Sequence, residues 1–133
     1  MPVTRISLAS RPTSAREARD RLTAFLGSWG NEAARENATL LLSEVVTNAV
    51  RHARGGTILI TLALSRGQIV AQVHDESASL PVRRSAGEGG GWGLELIDQL
   101  SNRWGVDQHP GGGKTVWFEV DNTNPQDQPH LDS

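Results

Sequence analysis

The chain contains no cysteine, which excludes disulfides, thiolate zinc sites and a cysteine nucleophile, and fits a reducing compartment. No apolar run approaches the roughly 18 to 20 residues needed to cross a bilayer. Met1 to Ala9 lacks an apolar core behind a basic start, so no secretion signal is expected and a cytoplasmic location is. An excess of basic residues is also missing. Lys plus Arg is 13 against 15 Asp plus Glu, a formal net charge of −2, so neither nucleic acid nor an anionic membrane is expected as a partner. No G-x-G-x-x-G occurs, and no internal repeat. The four histidines, His52, His74, His109 and His130, have no metal-ligand spacing, so no metal held by protein side chains alone is expected. Gly111-Gly112-Gly113-Lys114-Thr115 ends like a P-loop. However, the first glycine of that motif would fall at Gln108, and the segment leads into a strand pattern instead of a helix.

What is present suits one soluble domain. The length is 133 residues, and 37% hydrophobic content is too high for a disordered chain. Val3 to Leu8 alternates apolar with polar residues, as a half-buried strand does. Ser14 to Trp29 puts Ala15, Ala18, Leu22, Phe25, Leu26 and Trp29 on one helical face, and Glu32 to about Ala53 forms a second helix closed by Gly55-Gly56. Thr57 to Leu64 and Gln68 to Val73 read as strands joined at Ser65-Arg66-Gly67. Residues 75 to 92 form a long loop, and a helix restarts after Gly93. Arg103 to Gln108 and Thr115 to Val120 are the last strands. Residues 121 to 133 read as a disordered tail, which leaves 1 to 120 as the domain. Adjacent strands outnumber strict βα alternation. That order predicts an α+β two-layer α/β sandwich, with helices on one face of a mixed, mostly antiparallel sheet.

Three segments can carry chemistry. Glu44, Asn48 and His52 are four residues apart and stack along one side of the second helix. A carboxylate and a carboxamide one turn apart can divide the work at a phosphate site, the first orienting or deprotonating a nucleophile and the second coordinating magnesium. The same residues also make an ordinary solvated helix face. Asp75 closes a strand, where a carboxylate can accept a hydrogen bond from an exocyclic amine such as that of adenine, or cap a turn. Gly87 to Gly93 holds five glycines in seven residues directly before a helix, a pattern suited to close approach of a phosphate or, equally, to a linker.

In that order, E-x-x-x-N on a helix, an Asp ending a strand, G-x-G-x-G-L before a helix and Lys-Thr opening a strand resemble the Bergerat-fold ATP-binding superfamily. That group includes gyrase, histidine kinases and anti-sigma-factor serine kinases. The short chain looks most like the anti-sigma-factor branch of actinobacterial regulators, over roughly residues 3 to 120. The resemblance implies Glu44 as catalytic base and Asn48 as magnesium ligand. It further implies Asp75 as acceptor for the adenine amine, and Gly89, Gly91, Gly93 and Leu94 around the phosphates. Thr115 would stand beside Asp75 in the adenine pocket, and Arg51 and His52 would have a lesser role. One departure stands out: Ser77 and Ser79 replace the glycines of D-x-G-x-G.

What the resemblance implies is an ATP- and Mg²⁺-dependent serine/threonine kinase. Its partners would be an anti-anti-sigma-like antagonist protein and a sigma factor, and it would form an isologous homodimer. The alternative expectation is a non-enzymatic module with the same fold, in which nucleotide orders the loop and so controls partner binding.

Overall fold

The computed structural model describes residues 2–52, 55–77 and 93–122. Strand β1 (Val3–Ala9) leads to helices α1 (Ser14–Leu26) and α2 (Glu32–His52). Strands β2 (Thr57–Ser65) and β3 (Gln68–Asp75) follow, then α3 (Gly93–Leu100), β4 (Arg103–Gln108) and β5 (Lys114–Asp121). The strands form one five-stranded sheet in the order β1-β2-β3-β5-β4. Every pairing is antiparallel, so the expected mixed, mostly antiparallel sheet is antiparallel throughout the described strands, within the expected α+β sandwich. The chain enters β4 at the edge and returns as β5 between β4 and β3, so no two neighbouring strands run in the same direction.

Alternation along the strands sets the two layers. Ile58, Ile60 and Leu62 of β2, Ile69, Ala71 and Val73 of β3, and Val116, Phe118 and Val120 of β5 are all buried in one core. They meet Leu22 of α1, Leu41, Leu42 and Val46 of α2, and Ile97 of α3, so the helices cover one face. Each such valine, leucine, isoleucine or phenylalanine contributes about 1.5–3 kcal/mol when fully buried. Packing of this apolar face, more than intrinsic propensity, holds a helix as rich in valine and threonine as α2.

Local chemistry fixes the helix ends. Ser14 is fully buried, and its Oγ donates to the Ala9 carbonyl at 2.7 Å, which pins the start of α1 to the end of β1. α1 stops at Leu26, short of the expected Trp29, and the Gly27 N–H donates to the Thr23 carbonyl. Trp29 instead packs on the core from the connection. Asn31 caps α2, its Oδ1 accepting the Ala34 N–H at 2.7 Å.

The β2–β3 hairpin turns on Arg66 and Gly67, both at positive φ (51° and 77°), the conformation of a tight two-residue turn. Residues Asp121 and Asn122 belong to the fold, which shortens the expected tail. Gln68 Nε2 donates to Asp121 Oδ1 at 2.6 Å, the Asn122 N–H to the Gly67 carbonyl at 2.9 Å, and the Asn31 N–H to Asn122 Oδ1 at 3.1 Å. The remainder of that tail lies outside the described residues, as does most of the expected loop at 75 to 92.

Candidate functional site

Helices α2 and α3 lean over β3 and β5 and leave a cleft lined by Val45, Asn48, Ala49, His52, Asp75, Ile97, Lys114 and Val116. The sequence separates these residues by up to 71 positions, and only the antiparallel register of β3 with β5 and the packing of α2 across them bring them together. The cleft is tight. Its free volume is about 10 Å³, room for a single water.

At its floor, Asp75 and Lys114 face each other across the two strands. Both are buried, at 1% and 3% exposure, and Lys114 Nζ donates to both Asp75 oxygens at 3.0 Å. Asp75 Oδ1 also accepts the Ser77 N–H at 2.7 Å, a turn in which the aspartate caps the backbone two residues on. The turn before β5 has to let Asp75 in. Gly113 sits at φ 84°, and a Cβ there would lie 2.7 Å from the Asp75 carbonyl oxygen, so this position requires glycine.

The other polar wall is α2. Asn48 lines the cleft, and its Oδ1 is buried with no hydrogen-bond donor among the described residues. A buried, unpaired carbonyl oxygen costs free energy unless something binds it, and hard oxygen is the donor type that magnesium takes. Val45, Ala49, Ile97 and Val116 supply apolar walls suited to the faces of a purine. The donor set therefore fits a nucleotide with its cation: Asn48 for the cation, Asp75 for a base amine and the apolar side chains for the ring. No cluster of three His, Asp or Glu able to hold a metal unaided occurs among the described residues.

The sequence-derived site residues are thus only partly assembled. Asn48, His52 and Asp75 share the cleft. Glu44 lies one turn before Asn48 on the same stripe of α2, half-buried and outside the cleft lining. Arg51 is exposed and lines a different depression with Pro12, Ala15, Thr47 and Val50, so α2 carries it away from the cleft. Thr115 faces the opposite side of the sheet. Its Oγ1 lies 2.8 Å from His109 Nε2 and 3.3 Å from His74 Nδ1, in a groove bordered by β1 and β2. Gly93 opens α3 and Leu94 follows it, whereas Gly89 and Gly91 lie outside the described residues. The residue that sequence reasoning missed is Lys114, set aside with the P-loop-like string to which it belongs. The strand alternation Lys114, Val116, Phe118, Val120 was the signal that could have found it.

The profile of the histidine kinase-like ATPase domain matches residues 8–120, and the chain belongs to that family. Family membership brings ATP binding and a regulatory role with it. No curated protein matches. Among solved structures, the Acinetobacter baumannii histidine kinase AdeS superposes with a TM-score of 0.51 at 13% identity, over 90% of this chain and 68% of that one. The histidine kinase domain of the E. coli osmosensor EnvZ gives a TM-score of 0.47 at 14% identity, over 100% and 97%. At such identities AdeS speaks for the fold alone. No helix among the described residues is long and apolar enough to cross a membrane.

Proposed function

We propose that this chain is a regulatory protein kinase of the anti-sigma-factor type, which transfers the γ-phosphoryl group of ATP to a serine or threonine hydroxyl of a small antagonist protein. The observation that carries this reading is the unpaired, buried Oδ1 of Asn48 in the cleft, with the Glu44 carboxylate one helical turn away. Residues at that spacing have Cβ atoms about 5–6 Å apart, close enough to serve one phosphate group. Magnesium bound to Asn48 would neutralise phosphate charge. Glu44 would orient the attacking hydroxyl and accept its proton as the oxygen–phosphorus bond forms and ADP leaves. Phosphoryl transfer depends mainly on positioning and charge neutralisation, so this small set of side chains suffices.

The partners in this reading are an anti-anti-sigma-like protein and a sigma factor, met in the cytoplasm by an isologous homodimer of the chain. The test is incubation with Mg²⁺ and ATP together with purified anti-anti-sigma-type proteins, followed by mass spectrometry for phosphoserine and phosphothreonine. Labelling that disappears in Glu44→Ala supports the kinase. Saturable Mg²⁺-ATP binding with no labelled protein replaces it with a second reading, a nucleotide-controlled binding module. The narrowness of the cleft favours that alternative, because a base would have to displace what now fills the space between its walls.

A further inference from the structure

Lys114 is the one buried lysine among the described residues, and the phosphoryl-transfer reading gives it no task. Lysine is almost never fully buried unless paired. Its pairing with Asp75 is weak ground for a purely stabilising role, because the desolvation of two charges offsets much of their attraction. The pair also lies on the cleft surface instead of deep in the core.

Counting donors and acceptors shows what the pair offers a ligand. An ammonium group has three N–H donors, and two of those of Lys114 go to Asp75 Oδ1 and Oδ2. The third has no partner among the described residues. Asp75 Oδ1 already accepts from Ser77 and from Lys114, whereas Oδ2 accepts from Lys114 only and keeps a free lone pair. Side by side, then, the floor presents one free acceptor and one free donor. Adenine presents the complement: an exocyclic amine that donates, flanked by ring nitrogens that accept. Guanine in the same seat would set a carbonyl oxygen against the carboxylate.

We propose that Lys114 is a specificity-determining residue of the nucleotide site, donating its third N–H to the ring nitrogen beside the adenine amine while Asp75 accepts from the amine itself. The inference rests on the cleft being the ATP site. The ammonium compensates the buried carboxylate and so leaves it able to accept, and it reads a second atom of the same base edge. Removing a hydrogen bond to a charged group costs about 10- to 100-fold in affinity, and an unpaired buried donor left facing a base adds to the discrimination.

Calorimetric titration of the full chain in Mg²⁺ with ATP, 1-deaza-ATP, 7-deaza-ATP and GTP tests this. Wild type is expected to bind one of the two deaza analogues at least about tenfold more weakly than ATP, and GTP more weakly still. Lys114→Met is expected to lose the distinction between ATP and that analogue. Should Lys114→Met fold poorly with Asp75 unpaired, the double variant Asp75→Asn with Lys114→Met leaves no buried charge and provides the comparison. Equal affinity of wild type for ATP and both deaza analogues overturns the role of Lys114 and leaves the ATP site standing, as does discrimination that survives in the variants. Absence of any saturable ATP binding by wild type overturns the site itself, and this proposal with it.

Discussion

Asp75 and Lys114 are cross-strand partners that both point toward the helices, and the adjacent pair, His74 and Thr115, points the other way. Two neighbouring rungs of one ladder therefore belong to two different surfaces. The buried rung is a matched ion pair, so removing one member leaves an uncompensated buried charge, at a cost of about 3–5 kcal/mol. Lys114→Met and Asp75→Ala are each expected to lower stability by that order in urea denaturation. Asp75→Asn combined with Lys114→Met should recover most of the loss; an additive double variant would show that the two groups are not coupled.

The outer rung predicts the opposite behaviour toward nucleotide. Thr115→Ala is expected to leave ATP affinity within about twofold of wild type, since its hydroxyl engages His109 and His74 across the sheet from the cleft. A loss of tenfold or more would mean that the strand turns over when nucleotide binds.

Asn48→Ala separates binding from folding. Its Oδ1 makes no hydrogen bond among the described residues, so the substitution removes an acceptor that already lacks a partner. Stability is expected to change by no more than about 1 kcal/mol, while Mg²⁺-dependent ATP binding is lost. Thermal melts read the first quantity and calorimetry the second. A collapse in melting temperature with ATP binding intact would reverse the assignment.

Gly113→Ala forces a Cβ to within 2.7 Å of the Asp75 carbonyl in a backbone conformation that side chains disfavour. A destabilisation of about 1–3 kcal/mol is expected, together with weaker ATP binding as the Asp75 turn is displaced. Equilibrium unfolding beside ATP titration measures both.

The end of β5 gives a comparative prediction. Truncation after Val120 removes the bonds that Asp121 and Asn122 make to Gln68, Gly67 and Asn31, whereas truncation after Asn122 keeps them. The shorter chain should be less stable than the longer one by about 1–3 kcal/mol, with each bond worth about 1 kcal/mol. Identical melting curves would show that these bonds do not matter in solution.

Much of this arrangement was legible in the residues. The hydrophobic period located α2, and the glycine at Gly67 located the hairpin. The four-residue spacing put Asn48 and His52 on one stripe, and both reach the cleft. Two things were not legible. Side-chain direction in a strand has a period of two, and although the alternation Lys114, Val116, Phe118, Val120 marks the buried face, only the register of β5 against β3 sets Lys114 opposite Asp75. A lysine, moreover, reads as surface until its buried partner is known. Arg51, adjacent to His52 in sequence, lies on a different side of α2 because one residue turns the helix by about 100°. The α+β sandwich on a mostly antiparallel sheet was legible too, whereas the strand order depends on which edge the chain reaches after residue 77, which composition does not encode.

β5 is also a ruler. It runs unbroken from Lys114 at the cleft floor to Asp121 beside the β2–β3 hairpin, a span of about 23 Å at ordinary strand rise. Asn122 then fastens its far end to the start of α2, the helix that carries Asn48. A fluorophore attached by way of Asn122→Cys would be the only thiol in the chain. It would sit a full strand length from the nucleotide, too far to obstruct it, at the end of β5 and beside the start of α2, although the substitution gives up the Asn122 Oδ1 bond to Asn31. A change in its emission on adding ATP would then report movement at the cleft from a distance.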